Sequence, residues 1–154
     1  MPEAERTVAG RTLRDAILAL PEAQMAGTVA AYISIGTEPE TRGLVYAFWK
    51  RGTYVLLPLL REDYDLDWAS YEGPDSLAAG PRGLLQPTEP GRGVAAITSA
   101  DLVIVPALAV DCGGLRLGRG QRTLRRHQQQ FGLPVSLALG LPETAGLPRT
   151  GLYP

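Results

Sequence analysis

TVAAYISIGTEPETRGLVYAFWKRGTYVLLP, Thr28 to Pro58, decides the fold class. Its opening, TVAAYIS from Thr28 to Ser34, is small, β-branched and aromatic and lies between Gly27 and Gly36, a composition that predicts a short buried strand. Pro39 to Arg51 then carries Leu44, Val45, Ala47, Phe48 and Trp49, with Pro39 near the front and Gly52 at the exit, the start and stop signals of a helix. Thr53 to Pro58, TYVLLP, is a second apolar run. Near-continuous apolar strands joined through a helix belong to a mostly parallel sheet with helices on both faces, because a strand with one wet face would alternate. The expected class is therefore α/β, three-layered.

Outward from this core, Ala9 to Leu20 spaces Leu13, Ile17, Leu18 and Leu20 near helical periodicity ahead of Pro21, and Asp101 to Pro106 (DLVIVP) reads as a third strand. Between the second and third strands, LDWASY at Leu66 to Tyr71 alternates and predicts a strand with one exposed face. Gly73, Pro74, Gly80, Pro81, Gly83, Pro87, Pro90 and Gly91 mark turns around it, so Arg61 to Ala100 is expected to supply loops rather than core. Gln121 to Gln130 fits a polar helix and Phe131 to Leu141 a further strand. The Pro, Gly and Thr beyond Pro142 predict a poorly ordered end. At 154 residues, one domain spanning 1–154 is the expectation.

Composition removes several function classes. The hydrophobic share of 45% and charged share of 20% are those of a globular chain, and no apolar run approaches the length of a membrane span or signal core; a cytoplasmic location is expected. One cysteine, Cys112, and one histidine, His127, cannot form a disulfide framework or a thiolate metal cage, and Cys112 reads as a small turn residue rather than a nucleophile. A formal net charge of -1 leaves no overall footprint for nucleic acid. From Cys112 onward, however, Arg116, Arg119, Arg122, Arg125, Arg126 and Arg149 face one acid, Glu143, which suits a phosphate-bearing ligand or simply a solvated surface.

In parallel sheets ligands gather at the carboxyl ends of strands, so the segments directly after strands carry the candidate chemistry. After the first strand, Glu38 could accept paired N–H donors from a nitrogen-rich ring. Alternatively, Glu38 and Glu40 simply favour a helix start. After the second strand, Glu62, Asp63, Asp65 and Asp67 lack the glycine and terminal glutamate of a calcium loop and read as a solvated turn. After the third, VPALAVDCGGLRLGRG (Val105 to Gly120) alternates Arg116, Gly118, Arg119 and Gly120. Glycines allow backbone N–H groups close to phosphate oxygens and guanidinium forks neutralise their charge, although the pattern is not a Walker loop.

The series TVAAYISIGTEPET, VLLP, GLLQP and ADLVIVPALAVDCGGLRLGRG, from about Gly27 to Gly120, resembles the 5-formyltetrahydrofolate cyclo-ligase (5,10-methenyltetrahydrofolate synthetase) family. The resemblance implies a ligase of one-carbon metabolism that uses ATP and Mg²⁺ to convert 5-formyltetrahydrofolate to 5,10-methenyltetrahydrofolate, with ADP and phosphate released. In the family mechanism the formyl oxygen attacks the γ-phosphate and a folate nitrogen then closes the ring. Carried over by position, Glu38 and Ile33 would bind the folate, and Arg116, Leu117, Gly118, Arg119 and Gly120 the nucleotide. The implied partners are a reduced folate and ATP, with no nucleic acid and no membrane, and the chain is expected to be a monomer.

The ends depart from the family pattern. The family's opening helix bears a Lys and, four residues on, an Arg, whereas the single lysine here, Lys50, lies on another helix, so the start reads as shortened. Where the family continues with glycines, an aromatic pair and a metal-holding aspartate stand Gln121, Arg122, Thr123, Leu124 and Arg125, and a cation cannot ligate Mg²⁺. Asp111 is a further acid near that position. Catalytic and metal-ligating residues are thus left unassigned, and the alternatives are a catalytically impaired folate- or nucleotide-binding relative and an inactive fragment of the family.

Overall fold

The computed structural model describes residues 3–34, 40–60, 66–80, 85–106, 109–110, 116–117, 136–139 and 150–153. Helix α1 (Glu3–Leu18) and the short α2 (Pro21–Met25) precede β1 (Thr28–Ala30), α3 (Arg42–Lys50), β2 (Tyr54–Leu60) and β3 (Leu66–Ser70). Next come β4 (Leu77–Ala79), directly after a 3-10 turn at Pro74–Ser76, then β5 (Leu85–Pro87) and a second 3-10 segment, Val94–Ser99. The chain continues with β6 (Leu102–Pro106), β7 (Ala109–Val110), β8 (Arg116–Leu117), β9 (Ser136–Leu139) and β10 (Thr150–Tyr153). Six strands form one sheet in the order β10-β9-β6-β1-β2-β3. The inner four are parallel, and β3 and β10 close the two edges antiparallel. The α/β class with a mostly parallel sheet is thus the observed one.

Strand register explains why the strand sequences do not alternate. Val29 lies level with Val55 and Leu102, and together with Ala31, Leu57 and Ile104 these residues face Ile17, Leu44, Val45 and Phe48 of α1 and α3 in one apolar cluster. The intervening positions, Ala30, Leu56 and Val103, point to the other face and are equally buried. A sheet covered on both faces needs apolar side chains at every position of its central strands.

The insertion departs from expectation. LDWASY has no exposed face across Trp68, Ala69, Ser70 and Tyr71, all of them buried, because β3 joins the main sheet beside β2 and the 3-10 segment packs against it. Trp68, Tyr71 and Ile97 make 66–100 a contributor to the core rather than a set of loops. At the chain end, Thr150–Tyr153 pairs antiparallel with β9, whose edge offers a ladder of N–H and C=O groups. The expected Ala9–Leu20 helix starts earlier, at Glu3, with Glu3 and Glu5 in the first turn where the helix dipole favours carboxylates. The helix of Gln121–Gln130 falls outside the described residues.

Candidate functional site

The order β9-β6-β1-β2 places a reversal at the centre of the sheet. From β1 the chain crosses through α3 to β2 on one side, whereas from β6 it proceeds to β9 on the other. The stretches leaving the carboxyl ends of β1 and β6 therefore diverge from neighbouring parallel strands at the same edge, the arrangement in which open α/β sheets bind ligands. Strand lengths differ at this edge. The last β1 residue, Ala30, is level with Leu56 and Val103, yet β2 runs on to Leu60 and β6 to Pro106.

Pro58 shows how the sequence ends β1 there. The Leu56 carbonyl accepts the Ala31 N–H (2.9 Å), so the polar groups of Leu56 face β1; two residues on, Pro58 has the same facing but lies past the last β1 pair. A proline in a strand with neighbours on both sides is tolerated where its missing N–H has no ladder partner to serve.

The stretch after β1 is fastened at its base. The Ser34 N–H donates to Thr41 Oγ1 (2.8 Å) and the Thr41 N–H to Ser34 Oγ (3.2 Å), while the Thr41 hydroxyl donates to the Tyr32 carbonyl (2.8 Å). Thr41 is 2% exposed, so its hydroxyl's bond to the Tyr32 carbonyl is made out of water and an unpaired partner there would carry a desolvation cost, whereas the two bonds with Ser34 are half-buried. The neighbouring Glu40 is seated on α1: its N–H donates to the Arg6 carbonyl (3.4 Å), and a Cβ added at Gly10 would lie 2.5 Å from the Glu40 carbonyl oxygen. Only a glycine lets the α1 backbone approach this closely. The Glu40 carboxylate turns back to accept the Arg42 N–H (2.9 Å) at the start of α3.

Sequence reasoning passed over Ser34, Thr41 and Gly10. A threonine directly before a helix signals an N-cap, and Thr41 does occupy that position, but its side chain makes no cap bond and reaches across to Tyr32 and Ser34 instead. Among the residues that were singled out, Ile33 is half-buried and packs against the apolar cluster. Arg116 and Leu117 form β8, paired with Val110 and Ala109 in a two-stranded ribbon beyond β6. Glu38, Gly118, Arg119 and Gly120 lie outside the described residues, as do Glu62, Asp63, Asp65, Asp111, Cys112, Arg125 and His127.

Asp67, read as part of a solvated acidic turn, has a structural task. Its Oδ1 accepts the N–H groups of Trp68 and Gly93, each at 2.7 Å, and so ties the segment before the 3-10 helix to the start of β3. Asp101 does the same at the opposite end of the sheet, where Oδ2 accepts the N–H groups of Gly27 (2.9 Å) and Thr28 (3.1 Å). Among the described residues no three His, Cys, Asp or Glu side chains converge as a metal site. Tyr71 is pushed above the ordinary tyrosine range, first by burial and then by the neighbouring Tyr46, with Arg42 pulling the other way. It packs edge-on against Trp49, 5.8 Å between ring centroids. Because Tyr71 is level with Val55, this aromatic group sits towards the amino end of β2.

Comparison with known proteins matches residues 1–139 to the model of the 5-formyltetrahydrofolate cyclo-ligase family. That span begins before and ends after the stretch whose motifs carry the resemblance. A 5-formyltetrahydrofolate cyclo-ligase of Mycolicibacterium smegmatis is 39% identical over 126 residues, covering 78% of this chain and 63% of that protein. One from Escherichia coli K12 is 29% identical over 143 residues, 89% of this chain and 78% of that protein. The chain thus spans less than two thirds of the mycobacterial relative. In fold it resembles the 5,10-methenyltetrahydrofolate synthetase of Aquifex aeolicus, with a TM-score of 0.75 at 22% identity over 96% of this chain and 78% of that one. The synthetase of Mycoplasma pneumoniae gives 0.60 at 14% identity, over 84% and 69%.

Proposed function

The chain belongs to the 5-formyltetrahydrofolate cyclo-ligase family, and from that premise we propose that it converts 5-formyltetrahydrofolate to 5,10-methenyltetrahydrofolate with ATP, releasing ADP and phosphate. The observation that carries the reading is the reversal at the β1/β6 edge. Two neighbouring parallel strands send off, from the same end, the segment bearing Glu38 and the segment bearing Arg116 to Gly120. Such an edge is where a folate ring and a polyphosphate can be held in line for transfer.

In this proposal the formyl oxygen attacks the γ-phosphorus as the bond to ADP breaks. A second folate nitrogen then adds to the activated carbon and phosphate leaves with the former formyl oxygen. The Glu38 carboxylate accepts the paired N–H donors of the pterin, and Ile33 lines its apolar side. The guanidinium groups of Arg116 and Arg119 spread the charge of the transferring phosphoryl group, and Gly118 and Gly120 leave room for backbone N–H groups at its oxygens beside Leu117. Mg²⁺ belongs to the proposal through the family alone. With no convergent acids among the described residues, no step is assigned to it. Action in the cytoplasm as a monomer, without nucleic acid or membrane as partner, is part of the same proposal; no described helix is long and apolar enough to cross a membrane.

The test is the appearance of methenyl-folate absorbance with ATP and Mg²⁺, together with calorimetric binding of 5-formyltetrahydrofolate that Glu38→Ala weakens. No ATP-dependent signal at high enzyme concentration would remove the catalytic reading. Folate binding without turnover would support the second one, an impaired binding relative, which the cation Arg125 in place of the family's aspartate favours.

A further inference from the structure

We draw no further inference here: the strongest candidate, the surface patch of Arg42, Tyr46 and Lys50 along the exposed face of α3 beside Trp49, carries nothing because nothing in the structure shows what covers it.

Discussion

Gly10 and Gly43 lie on the two helices that pack against each other, and the same change to alanine is expected to act in opposite directions at the two positions. In a helix interior, alanine is favoured over glycine by about 1 kcal/mol. At Gly10 that gain is outweighed. The new methyl carbon would stand 2.5 Å from the Glu40 carbonyl oxygen and 2.8 Å from its Cβ, both well inside contact distance. The obstruction is largely backbone, fastened through Thr41, so it cannot swing aside as a flexible side chain would. Overpacking of this kind costs about 1–3 kcal/mol, with the upper half appropriate here, which leaves Gly10→Ala less stable by roughly 1–2 kcal/mol. At Gly43 the nearest atoms are Arg14 Cδ and Nη1 at 3.8 Å, ordinary contact with a movable side chain, so Gly43→Ala keeps the propensity gain. Its place in the first turn of α3 reduces that gain to about half a kcal/mol. Urea unfolding at unchanged slope should therefore separate the variants by about 2 kcal/mol, or about 4–8 °C in Tm for a chain of this size. Equal stability of the two, or a Gly10→Ala protein more stable than the parent, would refute the close approach of α1 to Glu40.

Asp67→Ala leaves the N–H groups of Trp68 and Gly93 without their shared acceptor and is expected to cost about 1–2 kcal/mol in urea unfolding, with Asp67→Asn, which keeps an acceptor oxygen, closer to the parent. Tyr71 gives a pH signature. Its folded value is raised, chiefly by burial, so the neutral phenol is the form the fold favours. The associated stability is fully present below the unfolded value of about 10 and is lost as pH rises through the higher folded value. Thermal unfolding between about pH 9 and 11 should show a steeper alkaline decline for the parent than for Tyr71→Phe, and identical profiles would place that decline elsewhere.

The central fold was legible because each inner strand is buried on both faces. TVAAYIS, TYVLLP and DLVIVP read as parallel strands for the reason that makes them so: no position among Val29, Ala30, Val55, Leu56, Leu102 and Val103 faces water. The same logic misjudged LDWASY. Asp67 and Ser70 look solvent-facing by type, yet Ser70 is buried and Asp67 points its oxygen at backbone N–H groups, so polar character recorded hydrogen bonding and not exposure. Strand β10 was missed because a Pro, Gly and Thr composition says little about a strand whose pairing is supplied by another edge. At the candidate site, residue type drew attention to Glu38 and the arginines. The contacts of Ser34, Thr41 and Gly10 were invisible, since they arise only when residues distant in sequence meet.

Pro58 links these observations into one constraint. Had β1 continued two residues further in register, its polar groups would have faced a proline nitrogen with nothing to donate, and an unpaired buried carbonyl costs about 1–3 kcal/mol. The chain therefore leaves the β2 ladder after Ala31 because of a residue on a different strand, while β2 and β6 run on as longer neighbours. Backbone groups beyond the end of β1 must then find other hydrogen-bond partners at once, and Ser34, Thr41 and the Tyr32 carbonyl supply them to one another. The proline level with the end of the β1 ladder and the threonine that bonds Ser34 and the Tyr32 carbonyl are two halves of one arrangement, in which hydroxyl-to-backbone bonds take over where the strand ladder stops.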